Sequence, residues 1–242
     1  MTPEQREELI NRAKDFFRDR IVRNHSTVAI QKASRLISYN INPFLYKYLA
    51  NFMNGDDSPE SIAKALVYPR LLGSSINTSF GMNIQAMMSS IFSGFGDMSA
   101  SGTIGAGLDL VFIDAIDGRK KYCQLKAGPN TINHHDVETV FGHFDSTRRL
   151  ARTNSLDIRE SDMIIGVIYG APEELSSHYK RIDDRYPVYV GKEFWHRFTG
   201  DENFYLDLIE AFGEIAQEVN GTDKLQAAVE TLAVEIRAQL EE

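Results

Sequence analysis

The chain has 242 residues, 43% hydrophobic and 25% charged, which suits one sizeable or two small globular domains with an ample core and excludes disorder. No apolar run reaches 18 residues, the polar start Met1-Thr-Pro-Glu-Gln-Arg-Glu-Glu precedes no apolar segment, and a lone Cys123 leaves no intramolecular disulfide and no zinc cluster built on cysteine pairs; a soluble, unprocessed, cytoplasmic protein is expected. The net charge of −8 speaks against a nucleic-acid partner, yet residues 201–242 hold eleven acids against two bases, whereas residues 119–152 hold seven bases against three acids, a local surface compatible with an anionic ligand.

Residues 3–24 place Leu9, Ile10, Ala13, Phe16, Phe17 and Ile21 at helical spacing behind Thr2-Pro3, an N-cap followed by a first-turn proline. Further helices are predicted over 27–38, 44–54 and, from Ser58-Pro59-Glu60-Ser61, through Leu72, with Pro69 bending or ending the last. A helix over 76–92 follows, then a stretch from Ser93 to Gly107 too rich in glycine and serine for either regular element. Beyond it the pattern changes. Leu108 to Asp114 reads as a strand, Asp117-Gly118 as a two-residue turn and Lys120 to Ala127 as the antiparallel partner strand. A helix over 136–151, strands over 163–169 and 187–190, and helices from Gly191 onward complete an arrangement of helices about a sheet.

The hairpin carries the chemistry. Asp109 lies in its first strand, and Gln124 and Lys126, two residues apart in the second, point to one face. Lys126 sits among Cys123, Leu125 and Ala127, where an ammonium is costly unless it pairs or serves a reaction. On these residues alone two readings stand: a reactive site, or a strand-end lysine reaching solvent beside a satisfied core carboxylate.

The segments Gly107-Leu-Asp-Leu-Val-Phe-Ile-Asp114 and Tyr122-Cys-Gln-Leu-Lys-Ala-Gly128 resemble the active-site hairpin of the PD-(D/E)XK nuclease superfamily, in which an Asp on one strand is followed by an acid-x-Lys triplet on the next. Ile41-Asn-Pro-Phe44, Leu125-Lys-Ala-Gly128 and Val188-Tyr-Val-Gly-Lys-Glu-Phe-Trp195 resemble, in the same order, a group of type II restriction endonucleases that cut GGNCC-type (RGGNCCY-like) sites. The resemblance spans about residues 40 to 196. It implies an α+β fold with a central mixed β-sheet flanked by helices and helical N- and C-terminal additions. It also implies Mg²⁺-dependent hydrolysis of duplex DNA by a homodimer, with no nucleotide cofactor and no membrane partner.

Two positions depart from the family pattern. Leu108 stands where the superfamily often has Pro, and Gln124 takes the acid position of the triplet; a glutamine brings no charge, though its carbonyl oxygen can still face a metal. The position matching the acid that many relatives carry on the preceding helix is Gln85, again an amide. Either the site works with fewer carboxylates, or an acid migrates in, Asp97 and Glu138 being the candidates, or the protein is a catalytically silent DNA-binding module. The resemblance implies Asp109 and the Leu125 carbonyl as metal ligands and Asp109, Gln124, Lys126 and Gln85 as the catalytic set.

Asn130, Thr131, Asn133, His134 and His135 follow the second strand and lead into the helix with Arg148, Arg149 and Arg152. These side chains suit base edges and phosphates, and a helix N-terminus favours an anion; an ordinary polar loop, N-cap and solvated helix face is the plainer reading. Adjacent His134 and His135 rarely face one metal ion, and no partner has the spacing a zinc site needs. Lys192-Glu-Phe-Trp195 reads as a helix start, with Trp195 in the core, and Cys123 as a core thiol. Three regions are expected: a helical one over 1–72 that offers apolar faces for dimerisation, a catalytic core over 73–200 and acidic C-terminal helices over 201–242.

Overall fold

The structure is a computed structural model that describes residues 1–42, 44–93, 107–218 and 221–240. In chain order it contains α1 (Pro3–Phe16), α2 (Ile30–Ala33), α3 (Tyr46–Asn54), α4 (Pro59–Pro69), α5 (Ile76–Ile91), β1 (Leu110–Ile113), β2 (Lys120–Lys126), α6 (His134–Thr153), β3 (Met163–Val167), α7 (Ser177–Asp183), β4 (Val188–Val190), α8 (Lys192–Thr199), α9 (Phe204–Glu218) and α10 (Thr222–Leu240). The chain sorts into two compact units, one of residues 1–16 and 83–212, the other of 17–82 and 213–242.

The first unit holds the sheet, in the order β1-β2-β3-β4. β1 and β2 are antiparallel, β2 pairs with β3 and β3 with β4 in parallel, so the sheet is mixed, as the α+β reading requires. Alternation of side chains sorts the residues onto two faces. Val111, Tyr122, Met163, Ile165, Val167, Val188 and Val190 bury themselves with Val137, Val140 and Phe144 of α6 and Tyr179 and Ile182 of α7. The opposite face carries α8. There Phe194 lies over Gly166, where an added Cβ would come within 2.4 Å of its ring, and Phe112 meets Phe194 and Phe198 edge to face. Trp195 is buried and donates Nε1–H to the Ile168 carbonyl at 2.8 Å, the core role its sequence context implies. Helix α7 had no sequence prediction; its seven residues are short of the two turns that periodicity needs.

Buried charges at the far end of the hairpin form a closed network. Lys121 and Asp162 are each about 1% exposed and 3.6 Å apart, Lys121 also reaches Asp117 at 2.6 Å, and Arg119 donates Nε–H and Nη2–H to the two oxygens of Asp162 at 2.7 and 2.5 Å.

The second unit is helical. Its core is small and alanine-rich, with Ala63, Val67 and Leu71 against Ala228, Leu232, Ala233 and Ile236 of α10. Ser58 caps α4 by accepting the Ser61 N–H at 3.2 Å, with Pro59 in the first turn. Past Pro69 the chain stays helical but widens into a π segment, Arg70–Ser75, before α5; proline's missing N–H breaks the α ladder without ending the helix. The motif residue Pro43 and the glycine-rich 94–106, with Asp97, lie outside the described residues.

Candidate active site

The β1–β2 pairing runs Leu110 to Cys123 and Val111 to Tyr122, and the Asp109 N–H continues it by donating to the Cys123 carbonyl at 2.9 Å. This register sets Asp109 opposite Gln124, so Asp109, Gln124 and Lys126 share the face that α6 covers. Sequence spacing predicts that convergence.

Asp109 is held from both sides. Its Oδ2 accepts the Leu125 N–H at 2.8 Å, and its Oδ1 accepts a hydrogen bond from the Gln85 amide, donated by α5. Burial pushes the Asp109 carboxyl above its usual range, opposed by the Leu125 N–H, the Lys126 charge, the Gln85 amide and His143. Burial disfavours the charged carboxylate, and a cation beside it would offset that cost. Because the Leu125 N–H points to the β1 side, the Leu125 carbonyl points the same way in an antiparallel ladder, toward the edge where Asp109 sits. Lys126 is half-buried, its charge acts on Asp109, and its carbonyl accepts the Ile168 N–H at 3.0 Å.

Gln124 is 6% exposed. Its Nε2 donates to the Gly107 carbonyl and lies 2.5 Å from Nδ1 of His143 on α6. Its Oε1 is buried and has no hydrogen-bond partner among the described residues. A buried amide oxygen left this way costs free energy unless something binds it. Together with a carboxylate and a main-chain carbonyl on one strand end, it makes an all-oxygen donor set that fits a hard divalent cation. Among the described residues no three His, Cys, Asp or Glu side chains gather as a metal cluster, in keeping with amides at 85 and 124. Glu138 is exposed and paired with Arg181 at 2.7 Å.

His143 and Gly107 join the site without having been singled out in the sequence. His143 adjoins the apolar stripe of α6 formed by Val137, Val140, Phe144, Thr147 and Ala151; an imidazole in that register was the available signal. Gly107 has φ +92°, and a Cβ on it would come within 2.1 Å of His143 Nδ1.

The loop after β2 is built mostly by its own hydrogen bonds. Thr131 Oγ1 donates to the Gly128 carbonyl at 2.9 Å and lies 3.2 Å from the Tyr179 hydroxyl. Asn133 caps α6, accepting the His135 and Asp136 N–H groups at 2.8 and 3.2 Å, and Asp136 closes the capping box. His134 Nε2 lies 3.2 Å from Arg181, while Asn130 and His135 expose their side chains. Arg149 and Arg152 are exposed on α6, whereas Arg148 is paired with Glu160 at 2.5 Å and Asp145 at 3.3 Å. Cys123 is fully buried and burial pushes its thiol well up, so it supplies no nucleophile.

The family described as type II restriction endonuclease EcoO109I matches residues 4–220 of the chain. No curated protein matches the sequence.

Proposed function

The chain belongs to the EcoO109I family of type II restriction endonucleases, and from that premise we propose that it cleaves duplex DNA with Mg²⁺ at a GGNCC-type palindrome, using the face shared by Asp109, Gln124 and Lys126. The observation that carries this reading is the buried Oε1 of Gln124, which has no hydrogen-bond partner among the described residues, on the strand face that also carries the raised carboxyl of Asp109. An Asp109 oxygen, Gln124 Oε1 and the Leu125 carbonyl would hold the metal. When bound, the metal supplies Lewis-acid polarisation of the phosphate and a more acidic water.

The chain's own residues do the rest. Leu125 N–H and Gln85 fix the Asp109 carboxylate, so that the ligand keeps its direction without metal. Lys126 orients the attacking water and offsets charge that develops on the phosphorane. The loop residues Asn130, Thr131, Asn133, His134 and His135 with exposed Arg149 and Arg152 contact phosphates and base edges; Arg148 joins them by exchanging its Glu160 partner for a phosphate.

A palindrome read by identical chains calls for two-fold symmetry. Support for a homodimer comes from the helical unit. There Phe44, Leu45, Tyr48, Leu49, Phe52 and Met53 expose apolar side chains at i, i+3/4 and i+7 spacing, Phe44 and Phe52 by 88% and 78%.

The test is cleavage of a plasmid containing GGNCC-type sites, with Mg²⁺ or chelator, followed by sequencing of the ends. Metal-dependent ends at those sites are expected. Cuts elsewhere would overturn the proposed specificity, cutting in chelator the metal requirement, and binding without cutting the catalytic role of this face.

A further inference from the structure

We infer that His143 is a positioning residue that sets which atom of the Gln124 amide meets the metal site, an inference that rests on the functional reading above. An amide side chain has two hydrogens on nitrogen and two acceptor positions on oxygen. Both hydrogens of Gln124 are engaged, one by the Gly107 carbonyl and one by His143 Nδ1 at 2.5 Å. The nitrogen cannot accept, so His143 must offer its Nδ1 lone pair and carry its proton on Nε2.

Turning the amide over would set Oε1 against the Gly107 carbonyl, acceptor against acceptor, and would bury the NH₂ group where Oε1 now lies without a partner among the described residues. The two acceptors therefore dictate one orientation, with oxygen toward the cation's place. The fit is built on both sides of the contact: Gly107, with φ +92°, has no Cβ, and one placed there would collide with His143 Nδ1 at 2.1 Å. His143 thus does for a neutral ligand what a hydrogen-bonded second residue does for a ligating carboxylate, fixing its direction before the ion arrives.

The geometry suggests its own control. Asn places Oδ1 where His has Nδ1, whereas Phe fills the same space and accepts nothing. Calorimetric titration of the full-length protein with Mg²⁺, without DNA, compares wild type with His143→Asn, His143→Phe and Asp109→Ala. His143→Phe is expected to weaken Mg²⁺ binding by about ten- to a hundredfold, and His143→Asn to stay within about threefold of wild type, roughly 0.7 kcal/mol. Loss of binding in Asp109→Ala with wild-type binding in His143→Phe would overturn the positioning role and leave the metal site standing. Equal losses in the Phe and Asn variants would show that acceptance at Nδ1 is not what matters, and overturn it too. Undiminished binding in Asp109→Ala would overturn the metal site itself. Should His143→Phe fail to fold, ¹⁵N NMR of wild-type His143 decides alone: the Nε2–H tautomer supports the proposal, and an Nδ1–H ring overturns it.

Discussion

The main-chain N–H of Leu125 donates to Asp109 Oδ2 at 2.8 Å, which ties the carboxylate to the strand that also carries Gln124 and Lys126. Asp109 is thereby aimed by backbone, and the bond favours its charged form against the larger cost of burial. Asp109→Asn keeps the shape and removes the charge; its oxygen still accepts the Leu125 N–H, and its NH₂ is met by the Gln85 amide turned to present its oxygen. Since burial raises the carboxyl, the ionised form is penalised in the fold and this substitution relieves the penalty. Cleavage is expected to be lost, while the metal-free Tm rises by a few degrees. A lowered Tm by calorimetry in chelator would contradict the account.

Lys126→Ala removes the group assigned to the attacking water, and the rate is expected to fall by about 10²- to 10⁴-fold with site binding in Ca²⁺ retained. Single-turnover cleavage and a gel shift on one duplex separate the two effects. A drop in binding equal to the drop in rate would make Lys126 a DNA contact instead.

The Lys121–Asp162 pair lies at the other end of β2 and is a matter of stability. Asp162→Ala would leave Lys121, about 1% exposed, with Asp117 as its remaining acid, and is expected to cost about 3–5 kcal/mol by denaturant titration. Although burial raises the Asp162 carboxyl, the Arg119 hydrogen bonds, the Arg159 N–H and the nearby charges lower it further, and the net shift is downward. A lowered carboxyl contributes stability that is present above its unfolded value and is lost as pH falls through the folded one. Wild type is therefore expected to lose stability below about pH 4, and Asp162→Asn to lose less over that range. A parallel pH dependence of the two proteins would show that this carboxyl is not responsible.

Much of this arrangement is legible in the sequence because it rests on local signals. The strands' period of two puts Gln124 and Lys126 on one face, and Ser58-Pro59 starts α4 where its capping chemistry says. The hairpin, by contrast, turns through residues 114–119, closed by the Asp114 N–H to the Arg119 carbonyl at 2.9 Å, a wider loop than the two-residue Asp117-Gly118 turn that the sequence predicts. The reach of Gln85 to Asp109 spans 24 residues and that of Gln124 to His143 spans 19. Neither leaves a local period. Gln85 enters through the family resemblance, and His143 leaves only the signal of an imidazole beside the apolar stripe of α6. The pairing of Arg148 with Glu160 is likewise invisible in a count of bases.

Phe52→Glu on α3 would put a charge into the apolar face assigned to the homodimer. Sedimentation is expected to show monomer at concentrations where wild type is a dimer, with cleavage of palindromic duplex reduced in parallel. An unchanged sedimentation coefficient would remove α3 from the interface.

Gln124→Glu tests the unusual ligand directly. The carboxylate restores the acid-x-Lys pattern and supplies a charged oxygen, so Mg²⁺ affinity is expected to rise and cleavage to persist. The same change deletes both donors that Gln124 offers, leaving an anionic oxygen facing the Gly107 carbonyl, and it adds a second carboxylate beside Asp109. Stability without metal is therefore expected to fall by about 1–3 kcal/mol, and DNA binding in chelator to weaken, because two carboxylates repel a phosphate that no cation bridges. Melting curves with and without Mg²⁺ read the opposed effects in one experiment: the variant should start below wild type and gain more from the metal. A variant that folds, gains nothing from Mg²⁺ and cuts at no metal concentration would mean that residue 124 does not face the ion.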